Sequence, residues 1–124
     1  MSGLVEFLRA RLDEDEALAR EAPPGPWLIG NAADPTQPCS VHTFPGVRLV
    51  ADGLNWLVAE HIARQNPARV LAEVAVKREL IRVWETVRDV AGTGSLAEGT
   101  GARALQLHAA VYADHPDYQE RWRP

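Results

Sequence analysis

The sequence predicts an α+β fold that is mostly helical, and three observations predict it. Apolar residues recur at helical spacing near the start of the chain and again from Pro67 to Val90. Between them, residues 27–51 are broken by proline and glycine and carry β-branched residues on alternate positions. The chain has 124 residues, enough for one domain and too few for two comfortable ones. A single domain over residues 1–124 is therefore expected.

The first helix is expected over residues 2–22. Ser2 can cap it, and Leu4, Val5, Leu8 and Leu12 form an apolar stripe that Ala19 and Ala22 continue. Asp13, Glu14, Asp15 and Glu16 interrupt that stripe. They read either as a solvated turn or as partners for basic residues on another element. Pro23-Pro24-Gly25-Pro26 stops the helix, because proline lacks the backbone donor and clashes with the preceding turn.

A small antiparallel hairpin or three-stranded meander is expected over residues 27–51. Its candidate strands are 27–29, 41–44 and 47–51, separated by the turn-rich loop 31–38 and by Pro45-Gly46. Such a sheet is too short to stand alone and must pack on helices.

A short helix follows over residues 54–65, capped by Asp52 or Asn55. Leu54, Leu57, Val58, His61 and Ile62 fall on one face of it. Asn66-Pro67 then punctuates the chain, since asparagine is a strong N-cap and proline is favoured at the first helical position. The long central helix runs over residues 67–90. Val70, Val74, Val76, Leu80, Ile81, Val83, Trp84, Val87 and Val90 span an arc of about 200° on it. A helix lying on one core needs an arc of only about 100°. This helix can therefore bury two sides, and a homodimer interface is expected around Val76, Leu80, Val83 and Val87. Residues 92–101 contain four glycines and read as a flexible link. A last helix and a docked tail fill residues 102–124. Tyr112, Tyr118 and Trp122 set that tail apart from a disordered one, and Asp114 is a candidate cap for a turn holding Pro116 and Asp117.

The composition excludes several classes. The net charge of -4 argues against a general nucleic-acid or anionic-membrane surface. Cys39 is the sole cysteine, so no internal disulfide can form. No apolar run approaches the roughly 18 residues of a membrane helix. The N-terminus turns acidic where a signal peptide would be apolar, which predicts a cytoplasmic protein.

Chemical constellations are sparse. Cys39 and His42 have the gap of a metal-ligand pair but lack a second half, so no metal and no cofactor is expected. His61, with Glu60 beside it, is the one candidate general base or ligand, and no nucleophile stands at a recognisable spacing. The sequence contains no phosphate loop, no dinucleotide fingerprint, no HExxH and no GxSxG.

Four blocks stand out together: LVEFLRARLDEDE at the start, GPW at residues 25–27, AEHIARQNPARVLAEVAVKREL at 59–80 and YADHPDYQERWRP at the end. In these the chain resembles a family of short, uncharacterised actinobacterial proteins also seen in phage and mobile-element settings. The resemblance implies no activity and no catalytic residues. Many relatives carry a cysteine-rich stretch between the long helix and the tail. Here that stretch is GTGSLAEGTGARALQLH, without cysteine, which weakens a metal reading further.

Three functional readings follow. The leading one is a non-enzymatic interaction or assembly protein that acts as a homodimer. The second is a small enzyme or ligand-binding protein with a pocket near His61, using Glu60 or Asp52 and walled by Trp27 or Trp56. The third is a nucleic-acid regulator using Arg64, Arg69, Lys77, Arg78 and Arg82. The charge balance opposes it, and those residues do not share one face.

Overall fold

The computed structural model describes residues 3–31, 34 and 36–124. The Ser2 cap and parts of the 31–38 loop lie outside the described residues. The fold is α+β and mostly helical. Helix α1 spans Leu4–Glu21, and strands β1, β2 and β3 span Trp27–Gly30, Cys39–Thr43 and Leu49–Leu54. Helices α2, α3 and α4 span Trp56–Arg64, Pro67–Ala91 and Leu96–Ala110, and a 3-10 turn covers Glu120–Trp122. No helix among the described residues is long and apolar enough to cross a membrane. The chain divides into two compact units, Met1–Glu14 with Val74–Pro124, and Asp15–Glu73.

The first unit is helical. It seals Leu4, Leu8 and Leu12 of α1, Ile81 and Trp84 of α3, and Leu105 and Ala109 of α4. Phe7, which lies beside the expected α1 stripe, anchors the C-terminal tail. Its ring centroid lies 5.1 Å from that of Trp122, 5.8 Å from His115 and 5.9 Å from Tyr118. Arg11, also buried, fastens the same tail. It grips Glu14 with two hydrogen bonds of 2.9 and 3.0 Å, donates to His115 Nδ1 at 3.0 Å, and lies over the Phe7 ring. A buried guanidinium needs such a full set of partners to offset its lost hydration. The buried indole N–H groups of Trp84 and Trp122 have no hydrogen-bond partner among the described residues. Packing outweighs that. A tryptophan buries about 150–250 Å², worth about 4–6 kcal/mol at about 25 cal/mol per Å², against about 1–3 kcal/mol for an orphaned donor.

Of the acidic run, Asp13 pairs with Arg78 of α3 at 2.7 Å and Glu14 pairs with Arg11 at 2.9 Å. These two acids therefore serve as partners as well as solubilising charge.

The stretch expected as a flexible link through Gly101 is instead mostly helix. Gly92 and Gly94, both with positive φ, turn the chain out of α3, and α4 already begins at Leu96. The cause is a local cap related to the capping box, with Glu98 reaching back to the residue before the Ser95 cap. Ser95 Oγ accepts from the Glu98 N–H at 3.1 Å, and the buried Glu98 carboxylate accepts from the Gly94 N–H at 3.3 Å. Gly101 is then a packing residue, because a Cβ there would lie 2.8 Å from Trp84 Cδ1. The tail also departs from expectation. No helix starts at Asp114. Successive tight turns run from Val111 to Tyr118, with Asp117 N–H donating to His115 Nδ1 at 3.1 Å.

The second unit holds the antiparallel sheet, in the order β1-β2-β3. Trp27 faces Thr43 and Gly30 faces Ser40 between β1 and β2, while β2 and β3 pair through an irregular register. Thr43 ties the β2–β3 turn: its hydroxyl donates to the Gly46 carbonyl and accepts from the Arg48 N–H at 3.0 Å. The second and third strands start and end later or earlier than expected, and β3 takes in Leu54, which the sequence assigned to the following helix. Asn55, not Asp52, caps α2, its Oδ1 accepting from Val58 N–H at 2.9 Å.

The face α2 buries is rotated from the expected one, keeping Ile62 but turning Leu57, Val58 and His61 outward. Ala59, Ile62 and Ala63 pack with Cys39, Val41, Trp27 and Ile29. Leu57, at 73% exposure, Val58 and His61 look outward. Sequence periodicity weights the larger residues, whereas the sheet packs on the side where small alanines allow close approach. Asn66 works at both ends of the punctuation: its amide donates to Ala63 O at 3.1 Å and its carbonyl oxygen accepts from Arg69 N–H at 3.2 Å.

Candidate functional site

The most distinctive surface lies on α3. Its 25 residues are folded by strong helix formers and started by the Asn66-Pro67 cap. One side carries Val74, Ile81 and Trp84, all buried. A second side carries Val76, Leu80, Val83, Val87 and Val90, at intervals of four and three residues. At about 100° per residue these five share an arc of about 80°, centred about 120° from the buried side. Val76 is 61% exposed, Val83 49% and Val90 83%, while Leu80 and Val87 are half-buried. Alternating intervals of four and three are the spacing at which one helix seams against another.

The other candidates are placed as follows. His61 is exposed on the outer face of α2. Its neighbour Glu60 is half-buried, bonds Arg64 at 2.8 Å, and lines a cleft of about 500 Å³ with Trp27, Leu28, Ile29, Ala63 and Arg69. His61 does not line it. Among the basic residues, Arg64, Arg69, Arg78 and Arg82 each pair with a carboxylate, and the Lys77 ammonium sits 5.9 Å from the Tyr112 ring centroid. They form no row of free cations of the kind a phosphate backbone engages. Cys39 and His42 stand three positions apart in β2. The two-residue period of a strand therefore puts them on opposite faces, where they cannot share one ion. Among the described residues, no three His, Cys, Asp or Glu side chains converge as a metal-ligand set. A further cleft of about 370 Å³ in the helical unit mixes Glu6, Arg9, Glu85 and Arg88 around Trp84. The Arg9–Glu85 pair at 2.8 Å and the Arg88 guanidinium over the indole leave these cations engaged within the unit.

Of the residues the sequence offers for a pocket near His61, Glu60 and Trp27 line the cleft of about 500 Å³, while His61, Asp52 and Trp56 do not. Its lining combines the Trp27 strand with Ala63 and Arg64 of α2 and with Asn66 and Arg69.

The fold and its surfaces thus define a small α+β protein with an apolar helix face. A family model, described as a family of unknown function (DUF6221), matches residues 1–124, and the chain belongs to that family. No curated protein and no solved structure matches it.

Proposed function

We propose that this protein is a non-enzymatic association module that forms a homodimer through Val76, Leu80, Val83 and Val87 of α3. The observation that carries the reading is that second apolar stripe. It is continuous over about 21 Å at 1.5 Å per residue, and Val76, Val83 and Val90 of it are left exposed by a helix whose other side is already buried. A second copy is the natural cover, because a stripe spaced by fours and threes is complementary to itself. Burying a valine or leucine side chain contributes about 1.5–3 kcal/mol. Association costs roughly 4–15 kcal/mol, so five partly covered side chains support a micromolar dimer rather than a permanent one.

Sedimentation velocity across a concentration series tests this. The wild-type chain is expected to dimerise at micromolar concentration. Val76→Asp with Val83→Asp, at sites exposed in the free chain, is expected to give a folded monomer by circular dichroism. A wild-type monomer at tens of micromolar ends the reading.

A further inference from the structure

One buried carboxylate of the helical unit lacks the partners that a buried charge needs. Glu98, in the first turn of α4, is 8% exposed, and Arg11 in the same unit is 7% exposed. Arg11 answers its burial with hydrogen bonds to Glu14 and His115. Glu98 has a single long one, from the Gly94 N–H to Oε2 at 3.3 Å. Among the described residues no hydrogen bond reaches its Oε1, and no Lys, Arg or His forms an ion pair with it. That oxygen is not sealed in the core either. Among the described residues, the enclosed side-chain polar atoms without a partner belong to Trp84, Tyr118 and Trp122. Glu98 borders a cleft of about 370 Å³, so Oε1 opens onto that cleft. A carboxylate so placed is costly until a cation completes it.

The cleft lies wholly within the helical unit. Its charged lining is Glu6, Glu85 and Glu98 against Arg9 and Arg88, three acids to two bases, which leaves one negative charge in excess. Both bases are already engaged. Arg9 holds Glu85 at 2.8 Å. Arg88 holds Asp89, which does not line the cleft, at 3.3 Å, and its guanidinium lies over the Trp84 indole. Glu6 and Glu98 have no ion pair among the described residues. Buried Val5 and Trp84 supply an apolar wall. The volume falls within the range of about 300–1,000 Å³ usual for small-ligand sites.

We propose that this cleft binds a small organic cation, a primary ammonium carried on a short apolar stem. The ammonium donates to Glu98 Oε1 and is drawn in by Glu6 at the exposed rim, while the stem lies on Val5 and Trp84. The acceptor count selects an ammonium over a guanidinium. A guanidinium engages a carboxylate best through both oxygens, and Oε2 of Glu98 is already taken by Gly94. An ammonium is a compact point charge that one oxygen can hold. A metal ion is a poor match, because among the described residues no three His, Cys, Asp or Glu side chains converge. The site uses none of Val76, Leu80, Val83 and Val87, so the inference stands whether or not the chain dimerises.

The test titrates n-butylamine, charged at neutral pH, into ¹⁵N-labelled full-length protein at constant ionic strength. The Trp84 indole N–H and the amides of residues 93–98 are expected to shift and to saturate in the millimolar range. The uncharged n-butanol should leave them unmoved. Glu98→Gln removes the charge but keeps an oxygen for the Gly94 N–H, and it should weaken binding about tenfold, the loss of one charge-assisted hydrogen bond. Glu6→Gln, at an exposed position, should weaken it severalfold. Arg88→Gln removes a like charge from the wall and should tighten binding, which a merely structural role for Arg88 would not do. The inference is overturned by the lack of any saturable shift with n-butylamine, or by equal shifts of the same groups with n-butanol or magnesium chloride. An affinity unmoved by both Glu6→Gln and Arg88→Gln also overturns it, and these two variants keep the test decisive should Glu98→Gln fail to fold.

Discussion

The helical unit and the sheet unit bury their apolar residues on different scales. The helical unit seals Leu4, Leu12, Ile81 and Leu105, each at 2% exposure or less. The sheet unit's fully enclosed cluster is Cys39, Val41 and Ala59, all smaller side chains, with partly exposed neighbours around them. Apolar burial is the main favourable term in folding, and local stability follows how much of it a region owns. The lightly packed unit is also the one with a free sheet edge. The densely packed unit instead presents one apolar helix face. The comparison teaches that the helices hold the larger share of the sealed apolar core, and the sheet the smaller.

The largest effect that tests this contrast is expected at Ile81. Ile81→Ala should cost about 2–5 kcal/mol in denaturant unfolding, the usual range for a sealed isoleucine. Val41→Ala removes two methyl-sized groups at about 0.8 kcal/mol each and should cost about 2 kcal/mol. Equal costs, or a larger one at Val41, would break the contrast. A smaller effect is expected at the start of α4. Ser95→Ala removes the cap that receives the Glu98 N–H and should cost about 1 kcal/mol, with hydrogen exchange accelerating first in residues 95–99. If those amides are unmoved, the Ser95 cap is not what starts the helix.

The smallest effect is a pH dependence at His108. Its pKa lies below the ordinary value of 6.5, first because burial disfavours the charged ring and second because Lys77 repels it. A lowered value in the folded chain means that the unfolded chain binds the proton more readily. Stability is thus complete above about 6.5 and falls as the pH drops from there through the lowered value of the folded chain. His108→Gln should flatten that part of the stability curve slightly, because the ring is only half-buried. A curve steeper in the variant would reverse the sign of this argument.

Much of the architecture was legible in the residues, and the places where it was not have physical reasons. Pro23 to Pro26, Asn55 and Asn66-Pro67 act locally, through backbone donors and caps, and they mark the helix ends. The width of the apolar arc on α3 was legible because a long helix samples every direction evenly. The start of α4 was misread because four glycines outweighed a single Ser95–Glu98 pair, although the S-x-x-E spacing is a local signal that was present. The outward turn of Leu57, Val58 and His61 was not legible. Periodicity reports that a face is apolar, but not which neighbour lies near enough to cover it. That Glu60 and Trp27 share a cleft without His61 was not legible for the same reason, since it needs β1 and α2 to be placed side by side.

What the sequence by itself determined is therefore the local record: where helices begin and stop, which segments are strands, and that α3 carries more apolar surface than one core can cover. Only the tertiary structure decided which of two apolar faces went inside. It chose the alanine side of α2 and the Val74–Ile81–Trp84 side of α3, and it closed Arg11 over Phe7 and His115. Caps and turns are set by bonds within a few residues. Burial is set by close packing between elements far apart in the chain, and shape complementarity of that kind is not written in any single segment.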